Sequence, residues 1–272
     1  MWPEPHGSAS SWPELYRQTL ADSRRSLLGW AGGLAAYVLL LMAFYPSIRN
    51  DPSVNEIMKS LPGALRTLIG DDLTTPAGYV GGRLLSLMPV LLCVFAGLSG
   101  AALIAGEEER GRLELPLAQP VSRRALLLAR TLALLTLLLA LGAVLFLSIW
   151  GFGGLFQAPL PAGRLLVTTG LHVLGAWVFG ALALALGAAT GRPGLAAAVG
   201  AGLGIGLVAL HTLSAQVRVL ADLAWLNPWS AALGGSPLVQ PVSLWPLLVC
   251  LLVGAGLVGL ALPSFSRRDV GR

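Results

Sequence analysis

Charge is scarce in this chain of 272 residues: 11% are charged and 55% hydrophobic, where a soluble domain carries roughly a quarter charged residues. That deficit argues against an ordinary water-soluble domain, whose outside needs polar cover. Lysine is scarcer still. The single Lys59 stands between Met58 and Ser60, whereas a phosphate-cradling loop needs a glycine-rich backbone ending in Gly-Lys-Ser or Gly-Lys-Thr. No nucleotide site of that kind is encoded. The two cysteines, Cys93 and Cys250, lie in apolar runs and read as small hydrophobes with free thiols. Of three histidines, His172 and His211 fall in or beside apolar runs and His6 in the N-terminal tail, so no two share a helix face at metal-ligand spacing. Ser99 in GLSGA and Ser148 in LSIW have neighbours unlike a nucleophile elbow and no His/Asp set to complete a triad. The chain is therefore expected to be no enzyme by itself, with no catalytic residue, metal or cofactor of its own.

What is present is apolar length. A bilayer core of about 30 Å takes around 20 mostly apolar residues in a helix, and six runs qualify: approximately 27–45, 84–105, 125–150, 164–189, 194–213 and 244–263. None alternates in the manner of a membrane barrel strand, so helices are the spanning form. None carries an Asp or Glu inside its apolar stretch, where secondary transporters usually place intramembrane acids. The fold class is all-α integral membrane, one membrane domain over 1–272. The N-terminus, MWPEPHGSASSWPELYRQTLADSRR, is too polar and acidic for a cleaved signal peptide, so the first span is its own targeting signal.

The net charge of +5 serves orientation rather than nucleic acid, because its arginines stand at the ends of apolar runs. Arg17, Arg24, Arg25, Arg110, Arg112, Arg123, Arg124, Arg130, Arg192, Arg267, Arg268 and Arg272 fall on one side. Arg49, Lys59, Arg66, Arg83, Arg164 and Arg218 fall on the other. The positive-inside rule then makes both termini cytoplasmic in a multi-pass plasma-membrane protein, bacterial by its features. Arg83, Arg130 and Arg164, close to span ends, are expected to snorkel to the interface, the alternative being a role at the mouth of a transport path.

Residues 13–26 place Leu15, Tyr16, Leu20 and Ser23 at helical spacing, which suits a short amphipathic helix on the inner membrane surface. The outer loop 46–83, broken by Pro46, Pro52, Pro62 and Pro76, is expected to hold short interfacial helices. Segment 214–243, apolar but interrupted at Asn227-Pro228, reads as a re-entrant or interfacial hairpin. In GAGLGIG, Gly200 with Gly204 and Gly202 with Gly206 give two small-xxx-small pairs, suited to helix packing within one chain or to a dimer seam.

The most informative stretch is the inner loop between spans two and three, GEEERGRLELPLAQPVSRRALLLAR, residues 106–130. Three adjacent carboxylates end a span, and Leu113, Leu115 and Leu117 place apolar groups in a loop otherwise fit for water, which suits a docking surface. This stretch resembles the type-2 exporter permeases of ATP-binding-cassette (ABC) transporters, in which a glutamate-rich end of the second span leads through Gly-x-Leu-Glu to Pro-Val-Ser-Arg. LPGALRTLIGDDLTTPAGYV and the tail SFSRRDVGR are similar to the same group. The resemblance implies a coupling helix over 111–124 that docks on a cytoplasmic ATPase, with Glu107, Glu108, Glu109, Gly111, Leu113, Glu114, Pro120, Arg123 and Arg124 matching the pattern. Pro116 departs from it, and a proline there shortens or restarts the helix.

The same resemblance implies two ATPase subunits carrying ATP and magnesium, a second permease copy, identical or closely related, and ATP-driven export. Uncharged spans favour a hydrophobic or amphipathic cargo such as a drug, lipid or peptide. The alternative is a non-conducting membrane scaffold or regulatory subunit that anchors an ATPase.

Overall fold

The computed structural model describes residues 12–51, 53, 56, 60, 73–111, 122–214, 217, 222, 227–233, 237–240 and 243–267. No strand occurs among them, and six helices are long and apolar enough to cross a membrane. These are α1 (Trp12–Arg49), α2 (Pro76–Glu109), α3 (Arg123–Leu155), α4 (Ala162–Thr190), α5 (Pro193–Ser214) and α7 (Trp245–Arg267). A short α6 (Pro228–Leu233) lies between the last two.

Residues 13–26 are helical, as their spacing predicts, but α1 runs through them into the first span as one helix of 38 residues. No breaker stands between Pro13 and the first span, and Leu15 and Thr19 are already buried. Tyr16 Oη lies 2.9 Å from Thr136 Oγ1 of α3, so this turn packs on protein. The other boundaries follow from residue chemistry. Thr75 caps α2 by accepting from the Gly78 N–H at 3.2 Å, with Pro76 in the first turn. Gly191, at φ +65°, ends α4, and Pro193 opens α5 two residues later. Within α2 the ladder shifts near Pro89, which has no N–H for the Leu85 carbonyl; the Met88 N–H takes it instead. Two π-helical turns, Val80–Leu84 and Ala102–Gly106, flank the regular stretch Met88–Ala101.

The centre of the bundle is α4, against which α2, α3, α5 and α7 all pack. Small residues set these distances. A Cβ added at Gly97 would sit 2.7 Å from the Ala201 amide nitrogen, and Gly100 lies directly against the Gly180 carbonyl. Trp177 of α4 donates through Nε1 to the Leu251 carbonyl of α7 at 3.3 Å, over Gly254. Helix α1 sits to one side and packs mainly on α3.

Spans thus alternate in direction. The starts of α2, α4 and α7 share one end of the bundle, here the Tyr79 end, and the starts of α3 and α5 share the Glu107 end. At the Tyr79 end, Tyr79 Oη donates to the Leu41 carbonyl at 2.7 Å and Tyr45 Oη to the Thr74 carbonyl at 2.9 Å. Helix α6 turns back into the bundle there. Asn227 Nδ2 donates to the Leu207 carbonyl at 2.7 Å, and Trp229 Nε1 to the Gly204 carbonyl at 3.2 Å, about midway along α5. The Trp229 ring, fully buried, stacks on Phe179 with centroids 5.9 Å apart. His211 Nδ1 lies 3.1 Å from Ser230 Oγ of the same segment. His172 is buried inside α4, its Nδ1–H directed at the Thr168 carbonyl 2.7 Å away.

Both cysteines are free and buried. The four glycines of the GAGLGIG run in α5 separate by face. Gly200 sits against Ala183 and Gly204 against Cys93 and Phe179, whereas Gly202 and Gly206 have nothing within 4 Å of an added Cβ.

Candidate functional site

The Glu107 end carries the charges. Helix α2 closes with Glu107, Glu108 and Glu109, the first two half-buried and the third exposed. It stops at Gly111, whose φ of +66° a Cβ-bearing residue rarely adopts and whose N–H donates to the Glu108 carbonyl at 2.9 Å. On the far side of the loop, Ser122 caps α3 by accepting from the Ala125 N–H at 3.2 Å. The intervening Leu113, Glu114 and Pro120 lie outside the described residues.

The two arginines that open α3 point to different places. Arg123 is half-buried and donates through Nη1 to the Phe265 carbonyl near the end of α7 at 2.9 Å, its guanidinium 6.0 Å from the Phe265 ring centroid. Arg124 is exposed. The sequence pattern places both in one docking motif, yet the geometry gives Arg123 an intramolecular contact and leaves Arg124 at the surface.

Arg130 corrects the expectation of snorkelling. Only 5% of it is exposed. Its Nη2 lies 3.7 Å from Glu107 Oε2, and its Nη1 donates to Thr19 Oγ1 at 2.8 Å. The Thr19 hydroxyl in turn donates to the Leu15 carbonyl at 2.6 Å. Glu107 on α2 and Thr19 on α1 hold the cation between helices, so the side chain is buried in protein instead of extending outward. Arg110 joins more loosely, its Nη1 4.0 Å from Glu107 Oε1. By contrast Arg83 is exposed, and Arg164 is exposed and donates to the Val239 carbonyl at 2.9 Å.

Thr19, Arg130 and Phe265 were therefore hidden from sequence reading. Arg130 follows the buried stripe Leu127, Leu134, Leu137, Leu141 at spacings of three and four, and an arginine at such a seam position is the available signal. It is muted because Leu128, Leu132 and Leu139 on the exposed side of α3 are leucines as well.

The arrangement binds each end of the 112–121 loop to other helices: Glu107 through Arg130 to α3 and α1, Arg123 to α7. A pull on the loop would therefore reach four helices. Among the described residues no three His, Cys, Asp or Glu side chains gather as metal ligands.

A search among curated proteins found no match to the chain. The sequence profile of the ABC-2 family transporter proteins matches residues 14–270, from the first turn of α1 to beyond the end of α7. With six membrane-length helices and a profile match over nearly its whole length, the chain belongs to the ABC-2 transporter family and is a multi-pass permease subunit of an ATP-binding-cassette transporter.

Proposed function

We propose that this permease pairs with a second copy, or a close relative, and with two cytoplasmic ABC ATPases to export a hydrophobic or amphipathic compound. The observation that carries this reading is the anchoring of both ends of the 112–121 loop to the membrane helices, in a chain whose family works with an ABC ATPase. ATP and magnesium bind the partner. Closure of the ATPases moves the loop, Arg123 passes the motion to α7, and Glu107 passes it through Arg130 to α1 and α3. The exposed Glu109 and Arg124, with Leu113, Glu114 and Pro120, form the docking face; Gly111 sets the angle at which the loop leaves α2.

Buried Trp177, Phe179 and Trp229 fill the middle of the single subunit, which favours a path between two copies. Gly202 and Gly206, open on α5, suit that seam. Both termini lie in the cytoplasm of a bacterial cell, on the arginine distribution.

The test is co-purification. Leu113→Asp with Arg124→Glu should release the ATPase while membrane insertion and helix content stay normal, and cargo should raise ATP turnover only in the intact complex. Retention of the ATPase by this variant would remove the docking face. ATP turnover indifferent to every apolar cargo offered, with the complex intact, would favour the scaffold reading.

A further inference from the structure

Helices α1 and α2 are tied at the Tyr79 end, where Tyr37 Oη also donates to the Leu84 carbonyl at 3.3 Å. Toward Glu107, Trp30 of α1 meets Phe95 of α2 with ring centroids 5.6 Å apart, and open space lies to either side. Two adjoining cavities, about 370 Å³ and 470 Å³, fill the gap and share Ser26 and Trp30 in their linings. The larger is apolar, bounded by Gly29, Gly33, Leu34 and Leu91. The smaller is charged at one end by Asp22, Glu107, Arg110 and Arg130, flanked by the hydroxyls of Thr19, Ser23 and Ser99. Phe95 and Leu98 lead from it back to the apolar side. The gap is therefore amphipathic along its length.

Arg130 lines the charged end with only 5% of its surface exposed. Although Nη1 and Nη2 have partners, its Nε–H is buried and unmatched. A buried donor without an acceptor is costly, and this one belongs to a residue that lines the charged end. The four ionised groups sum to zero, two acids against two guanidiniums, which disfavours a head of net charge and suits a zwitterion.

We propose that this gap binds a glycerophospholipid with a phosphoethanolamine head: the phosphate accepts from Arg130 and Arg110, the ammonium faces Asp22, and a chain lies along Gly29, Gly33 and Leu91. The site depends on neither the direction of transport nor the cargo. Lipid seated there would brace α1 against α2 beside Glu107, where the loop begins.

The test uses full-length permease in detergent, without ATPase, and native mass spectrometry with added dioleoyl lipids. Phosphatidylethanolamine should be retained about tenfold more tightly than phosphatidylglycerol or diacylglycerol, the scale of one charge-assisted hydrogen bond. Arg130→Gln should remove that retention. Gly33→Leu, at a position where an added Cβ meets nothing within 4 Å, should remove it with the fold intact, which keeps the test decisive if Arg130→Gln fails to fold. Asp22→Asn should level ethanolamine with glycerol heads. Equal retention of the three lipids by the parent, unchanged binding in Gly33→Leu, or inorganic phosphate held as tightly as lipid would each overturn the proposal.

Discussion

From the Tyr79 end to the middle of the bundle, helices are tied by aromatic hydroxyls, an indole and an amide giving hydrogen bonds to backbone carbonyls, and even Arg49 and Arg164 at that end donate to carbonyls of Gln157 and Val239. At the Glu107 end stand both ion pairs found among the described residues, Glu107 with Arg130 and with Arg110. Ties of the first kind end on neutral carbonyls and are local. Charged ties are longer-ranged, and their strength depends on how much water reaches them. One end is thus built to stay put, and the other can be re-paired when a partner presents new charges beneath it.

Substitutions can break this contrast at either end. Trp229→Ala removes a fully buried indole, its stack on Phe179 and its bond to Gly204, and should cost about 3–5 kcal/mol, read as a large fall in thermal midpoint. Arg130→Met should cost a similar amount, about 3–5 kcal/mol, by stranding Glu107. Adding Glu107→Gln should recover most of that loss, whereas no second substitution at Phe179 would rescue Trp229→Ala. Arg123→Gln should cost less, about 1.5–3 kcal/mol for a charged hydrogen bond, yet should lower cargo-stimulated ATP turnover with the ATPase still bound. Tyr79→Phe should cost about 1 kcal/mol and leave that stimulation unchanged. If Tyr79→Phe uncouples turnover as strongly as Arg123→Gln, the division between a fixed and a movable end fails. The smallest effect on fold is expected at Gly206→Cys, which meets open space; disulfide-linked dimers in oxidised membranes would sharpen the seam, and their absence would move it off this face.

Much of the fold was legible because crossing a bilayer demands length, and length survives in sequence without any periodicity. Five of the six predicted runs lie within the observed helices, and the sixth, 244–263, begins one residue before α7. What periodicity usually reveals, the direction each face points, was lost where all faces are apolar. That is why Arg130 read as an edge residue although it sits in a buried seam, and why Gly200 and Gly204 could not be told from Gly202 and Gly206 until neighbours were known. The junction of the N-terminal amphipathic segment with the first span was equally silent: polar residues mark where lipid begins, not where a helix ends. For the stretch that resembles a coupling motif, residue types set Arg123 and Arg124 side by side, but only geometry parted Arg123, turned toward Phe265, from the surface residue Arg124.

The unbroken run of α1 carries a mechanical consequence. Its 38 residues make a rod about 57 Å long at a rise of about 1.5 Å per residue, nearly twice the hydrocarbon depth of about 30 Å. Thr19 is gripped near one tip by Arg130, and Arg49 touches the Gln157 carbonyl at the other. A tilt imposed at one membrane surface therefore arrives at the opposite surface in reversed sense, with the bilayer as fulcrum.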